Sequence, residues 1–222
     1  MNKAKPLENI AVMLSASIPK ELMGSLQAQD IFSVIILFTK HILRRGGRLV
    51  FGGHPTVTPL VHQVCSSVKP EADAVRLHQL RRFKDDAPKE VWDTKVFQNI
   101  CWFGSKDKKD LIDPDLAEMR DAMAEMADSA IFVGGKVRNY SGKKPGIRDE
   151  YERFLAKHPQ GPVYLLGFLE GESKVIIEEL EHKGEREPNG LTDKQLRIIH
   201  HGNNIDLIVP VVVSDIGKTI KK

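Results

Sequence analysis

The sequence predicts an α/β fold of three layers, a mostly parallel sheet with helices on both faces. Three observations carry that prediction. Short apolar runs recur along the 222 residues, suited to strands buried on both faces. Stretches with apolar residues at helical spacing separate them, and alternation of the two kinds of segment is the mark of a parallel sheet. Several runs end in glycine or in small hydroxyl residues, where a strand gives way to a helix.

In chain order, Asn9 to Leu14 is the first strand, ending in Ser15-Ala-Ser17-Ile-Pro19-Lys20-Glu21. Pro19 suits the first turn of a helix, so this segment reads as a strand-to-helix crossing. A helix over Ile31 to Arg45, capped by Asp30, follows from the spacing of Ile31, Val34, Ile35, Phe38 and Ile42, and Gly46-Gly47 stop it. Arg48 to Phe51 is a strand, the loop Gly52-Gly53-His54-Pro55 follows, and Thr58 to Ser67 is a helix. Ala74 to Leu77 is a third strand and Ile100 to Phe103 a short fourth, with Lys89 to Phe97 expected helical between them. Lys106 to Lys109 is a charged turn. Asp115 to Met126 is a strong helix, capped by Asp113 or Asp115 with Glu118 three residues beyond the latter. Ala130 to Val133 is the next buried strand, and Glu150 to Lys157 a helix. Pro162 to Leu166 is a strand, Lys174 to Lys183 a helix and Asp193 to His201 a short helix. The apolar tail Ile205 to Val213 contains Pro210, which confines it to an edge strand, a bend or a contact with another chain.

Composition narrows the function. The 33 basic and 30 acidic residues leave a net charge of only +3, too little for a nucleic-acid partner, and 6% aromatic residues offer no stacking platform. Cys65 and Cys101 build neither a disulfide framework nor a zinc pattern and read as buried or half-buried thiols. The longest apolar run, Ile31 to Thr39, falls short of a bilayer span, and Met1 to Pro6 lacks the apolar stretch of a signal peptide. A cytoplasmic protein with no membrane partner is the expectation.

The chemistry concentrates at two glycine pairs, Gly52-Gly53 and Gly134-Gly135, each at a strand's carboxyl end. Glycine lets a ligand approach the backbone, and a helix start offers unpaired N–H groups to an anion. In a parallel α/β sheet both loops and Ser15-Ala-Ser17 converge on one rim, where ligands bind. Gly52, Gly53 and Thr56 are expected to contact phosphate, with Thr58 as a further hydroxyl donor; the alternative is a turn that needs glycine only for geometry. His54 either donates to phosphate or ribose or holds the loop together. Ser15 and Ser17 either bind base or phosphate or satisfy the turn's own backbone. Glu150 suits ribose hydroxyls, since an ionised carboxylate only accepts; the alternative is a carboxylate favoured by the helix dipole. Arg81, Arg82 and Lys84 either hold a second phosphate or form a solvated cluster. Lys136, Arg138, Lys143 and Lys144 make the segment before Gly146 either a basic lid, with Tyr140 stacking on a base, or a surface excursion. His200-His201 lacks carboxylate or cysteine partners at metal-ligand spacing. Asp107, Asp110, Asp113 and Asp115 lack the glycine and glutamate of a calcium loop. No cofactor and no metal are expected.

The set Leu14-Ser-Ala-Ser-Ile-Pro19, Phe51-Gly-Gly-His-Pro55 with Thr58-Pro59, Met119-Arg120, and Phe132-Val-Gly-Gly135 with Gly146-Ile-Arg-Asp-Glu150 resembles the SLOG superfamily. That group unites the DNA-processing Smf/DprA proteins and the LOG phosphoribohydrolases, once taken for lysine decarboxylases. The chain is most similar to its bacterial clade found beside TIR-type domains. The resemblance runs from about Asn9 to Leu166 and implies a Rossmann-like, nucleotide-binding domain over 1–222, with a core of about 9–166 and a C-terminal embellishment of about 167–222. It also implies that Arg120 reaches the ligand with Glu150, although a salt bridge to Asp121 or Glu150 is the competing reading. LOG enzymes carry a tight Pro-Gly-Gly-x-Gly-Thr-x-x-Glu loop; here Lys136 to Pro145 separates Gly135 from Gly146, and Ile147 stands where threonine is expected.

Three functions remain open at this point. The first is a sensor of an ADP-ribose-like nucleotide derivative in bacterial defence, acting through a separate effector protein. The second is an N-glycosidase with Glu150 and Arg120 as catalytic residues. The third is an assembly module whose tail packs on a neighbour, and the family implies a homo-oligomer in any case.

Overall fold

The structure, a computed structural model, describes residues 5–18, 22–87, 89–107, 109–140 and 142–221. Six strands, all parallel, form one sheet: β1 (Ala11–Ser17), β2 (Arg48–Gly52), β3 (Val75–Leu80), β4 (Asn99–Phe103), β5 (Ser129–Gly134) and β6 (Val163–Leu166). Their spatial order is β4-β3-β2-β1-β5-β6, so the chain steps outward from β1 to β4 and then returns to β1's other side. The helices are α1 (Leu26–Arg44), α2 (Thr58–Val68), α3 (Ile112–Met126), α4 (Gly146–Lys157), α5 (Glu172–Lys183), α6 (Asp193–His201) and α7 (Ile205–Thr219). This is the three-layer, Rossmann-like α/β fold that the alternation predicts.

The strands sort their side chains by period 2. On one face Val12, Leu14, Leu49, Phe51, Leu77, Ile131, Val133 and Tyr164 meet apolar residues of α1, α2, α6 and α7. On the other Ala11, Met13, Val50, Ala130, Phe132 and Leu165 meet α3, α4 and α5. The order reversal at β1 and β5 sends α1 and α4 to opposite faces, which opens a crevice at the carboxyl ends of those strands.

Helix α1 starts at Leu26 under a Ser25 cap, whose side chain accepts from the Ala28 N–H, so Asp30 lies inside the helix and not at its start. By length and composition α1 is apolar enough to cross a bilayer, yet Ile31, Val34, Ile35, Phe38 and Ile42 are fully buried in the core. The proposed crossing at Pro19-Lys20-Glu21 lies outside the described residues, as do Met1 to Ala4, Lys108 and Ser141. Lys89 to Phe97 is not a continuous helix: only a 3-10 turn forms at Lys89–Trp92. Helix α3 starts at Ile112 with no side-chain cap, because Asp115 is turned to Arg82 and the Ser105 N–H.

The tail is the main correction. Ile205–Thr219 is a helix capped by Asn204, not an edge strand, with Pro210 inside it. Proline in a helix interior costs about 3 kcal/mol. Ile208, Val209, Val212, Val213 and Ile216 are each almost fully buried in the core that α1 also fills. At about 1.5–3 kcal/mol per side chain that burial outweighs the proline. Tyr164 Oη donates to Asp215 Oδ2 at 2.8 Å and ties α7 to the sheet.

Candidate functional site

A cavity of about 370 Å³ opens at the carboxyl ends of β1, β2 and β3, between α3 and the start of α4. Ser15 and Ser17 of β1, Gly52, Gly53 and His54 after β2, Arg120 of α3, and Gly146 and Glu150 of α4 all line it. The first glycine loop, Ser15, Ser17 and the start of α4 therefore share one cavity. Thr56, Arg82, Gly134 and Gly135 do not line it.

The first glycine loop is closed upon itself. The Gly53 N–H donates to His78 O, the His54 N–H to Gly52 O, and the Val57 and Thr58 N–H groups to His54 O. The Thr56 N–H is 3.3 Å from His54 Nδ1, and the Thr58 hydroxyl donates to His54 O. Pro55 and Pro59 have no N–H at all. The donors that a phosphate would need from this turn already have acceptors within the chain. What the loop offers is the His54 ring. Burial, and secondarily the charge of Lys136, lowers its pKa to about 4, so the ring is neutral at pH 7. With Nδ1 accepting from Thr56, the ring proton sits on Nε2 as a donor.

The second pair serves the scaffold. Gly134 and Gly135 have φ of +66° and +95°, left-handed values that glycine adopts without strain. The Gly134 N–H donates to Ser173 Oγ, which in turn donates to Leu166 O. The Gly135 N–H donates to Ser17 O, and Gly135 O accepts from the Glu172 N–H. These bonds join the ends of β1, β5 and β6 to the start of α5.

The unpaired donors lie one segment later. The N–H groups of Gly146, Ile147 and Arg148, the first turn of α4, have no acceptor among the described residues; the helix's own bonding begins with the Asp149 N–H to Pro145 O. The Arg120 guanidinium lies against this turn, since a Cβ on Gly146 would stand 3.0 Å from Arg120 Nη2. Arg120 Nη1 donates to Asp149 Oδ2 at 2.8 Å, and its Nε faces Glu150 Oε1 at 3.4 Å without hydrogen-bond alignment. Gly146 and Glu150 are four residues apart and share one helical face. The Glu150 side chain is only 14% exposed. Burial raises its pKa, while the Arg120 charge and hydrogen bonding from Ser15 oppose the rise. Lys136 adds a second cation at the cavity wall.

The cavity also has an apolar lining: Leu80, Phe83, Leu116, Met119 and Ile147, with the Tyr140 ring. The inserted segment before α4 contributes Lys136 and Tyr140 to the cavity, whereas Lys144 pairs with Glu152. Arg82 is buried, bound to Asp115 and to the carbonyls of Asp110 and Leu111. Lys84 sits 5.6 Å from the Trp92 and Trp102 ring centroids, and Arg81 reaches Gly104 O. Sequence reading missed Asp149, which anchors both Arg120 and Arg153, and Gln79, which lines the cavity. Neither carries a signal in the sequence: Gln79 is one of three polar residues of β3 with Arg76 and His78, and Asp149 is one acidic residue in a charged helix.

A model of the SLOG cluster3 family matches residues 30–198. No curated protein matches the chain. Among solved structures, the X-ray structure of TM1055, a structural-genomics target, is similar with a TM-score of 0.57, covering 91% of this chain and 98% of that one at 16% identity. At that identity the likeness is one of fold.

Proposed function

The chain belongs to the SLOG cluster3 family, and on that premise we propose that its cavity binds an anionic nucleotide or nucleotide-derived ligand. One observation carries this reading: the unpaired N–H groups of the α4 start, the Arg120 guanidinium and the Glu150 carboxylate meet on one wall. A phosphate is received by the first two, since helix-start N–H groups and a guanidinium both favour an anion. Glu150 accepts from ribose hydroxyls one helical turn away, with Ser15 and the His54 Nε2–H as further polar contacts. Phe83, Met119 and Leu116 take the base. A volume of about 370 Å³ suits a ligand the size of a mononucleotide or one end of an ADP-ribose-like molecule. The role as a sensor in bacterial defence rests on the family context.

A second reading has its own support. A buried carboxyl whose pKa is raised, beside a cation, is the pairing that acid–base chemistry uses. Glu150 then assists cleavage of an N-glycosidic bond by stabilising the oxocarbenium-like sugar or activating water. Incubation with nucleoside monophosphates, NAD and ADP-ribose isomers, following melting temperature and base release together, separates the two. A thermal shift without base release is the expected result for a binding protein. Base release that disappears in Glu150→Gln establishes the glycosidase. Neither response to any of these compounds overturns the nucleotide reading.

A further inference from the structure

Away from the cavity, at the β6 edge of the sheet, the structure corrects the expectation that His200-His201 has no carboxylate partners. Glu181 from the last turn of α5 and Glu187 from the following loop both reach the end of α6. His201 Nε2 is 3.0 Å from Glu181 Oε1, and His200 Nδ1 is 3.8 Å from the same oxygen. One ligand atom from each of Glu181, His200 and His201 lies within 4.8 Å of the others.

Glu187 gives the cluster its direction. Its side chain is fully buried, with Oε1 2.8 Å from His200 Nε2 and Oε2 without a hydrogen-bond partner. A carboxylate only accepts, so His200 carries its proton on Nε2 and donates it to Glu187. The Nδ1 lone pair is then turned toward Glu181 Oε1, itself an acceptor. Two acceptors facing each other repel unless a cation lies between them. A buried carboxylate behind the imidazole, with the other ring nitrogen pointing outward, is the arrangement that supports a metal-bound histidine.

We infer that Glu181, His200 and His201 bind a divalent transition-metal ion, with Zn2+ the best match to two imidazole nitrogens and one carboxylate oxygen, and that Glu187 positions His200. Water completes the coordination. Helix α5 lies on one face of the sheet and α6 on the other, so the ion staples the two helical layers around the β6 edge. The same edge is covered by the loop between these helices, where the Val163 N–H donates to Pro188 O.

The test uses the full chain without a histidine tag, stripped with chelator and titrated with zinc chloride by calorimetry. One saturable equivalent is expected, with a rise in melting temperature, and Co2+ should give visible absorption bands. His201 and Glu181 are 58% and 49% exposed at the side chain, so His201→Ala and Glu181→Ala keep the fold, checked by circular dichroism, and lose the equivalent. Glu187→Gln should keep the stoichiometry and weaken affinity by about 10–100-fold. His182→Ala, next door on α5, should change nothing. Absence of a saturable equivalent overturns the inference. Binding that survives both exposed variants, or is lost in His182→Ala, overturns it as well.

Discussion

The two glycine pairs look alike in sequence and do different work in the fold. Gly52-Gly53 faces the cavity, and a Cβ on Gly53 would meet the Gln79 amide oxygen at 2.2 Å. Gly134-Gly135 lies under the α4 and α5 starts, and a Cβ on Gly135 would meet Ile147 Cγ1 at 2.4 Å, with the backbone at positive φ besides. The first neighbour is the end of a flexible side chain at the cavity wall; the second belongs to a buried β-branched side chain. The N–H groups of Gly53, Gly134 and Gly135 all have acceptors within the chain. The second pair instead fixes where the α4 start sits, and the free donors are there. A glycine pair at a strand end therefore signals close approach, and what approaches can be the protein itself.

The largest expected effect tests the wall that the second pair positions. Arg120→Ala leaves Asp149 and Glu150 nearly buried without their shared cation, a loss of about 3–5 kcal/mol in urea unfolding. Gly135→Ala combines left-handed strain with overpacking against Ile147 and should cost on the order of 3 kcal/mol by the same measurement. A loss under a few tenths would break the scaffold assignment.

The first loop should instead be sensitive to acid. His54 has a pKa near 6.5 when unfolded and about 4 when folded, so the unfolded chain binds the proton more readily between those values. Its contribution is fully present above pH 6.5 and lost as the pH falls toward 4, worth about 1–2 kcal/mol after discounting for its partial exposure. His54→Asn keeps an acceptor for the Thr56 N–H but does not titrate, and should flatten part of the slope. His78, buried and also lowered to about 4, supplies the remainder, so an unchanged slope in the variant would remove His54 from the account. Smallest in stability is Gly53→Ala, at about 1 kcal/mol, because Gln79 can swing into the cavity. Its effect on nucleotide affinity should exceed its effect on stability; the reverse would show that the first pair is scaffold too.

Six strands, their order in the chain and most helices were legible, because apolar spacing is a local property that burial on a sheet preserves. Helix α7 was misread because its β-branched run hides the 3.6-residue period of Ile208, Val209, Val212, Val213 and Ile216, and because Pro210 argued against a helix that tertiary burial pays for. The rim of the cavity was legible from Ser15, Gly52, Gly53 and Glu150, all at strand ends or a helix start. Arg82 was not, since nothing within its own segment foretells Asp115.

By itself, then, the sequence determined the α/β class, the strand and helix succession, and the end of the sheet at which the cavity opens. Only the tertiary structure decided which polar groups are left facing that cavity. The N–H groups of the first loop have acceptors at hand, Arg82 has Asp115, and Gly134-Gly135 has α5, while the α4 start, Arg120 and Glu150 keep a face toward the cavity. The reason is physical: a donor's availability depends on every acceptor within reach, and most of those are far away along the chain. The pairing of His200 with Glu181 and Glu187 has the same origin, a contact made by helix packing and invisible to spacing.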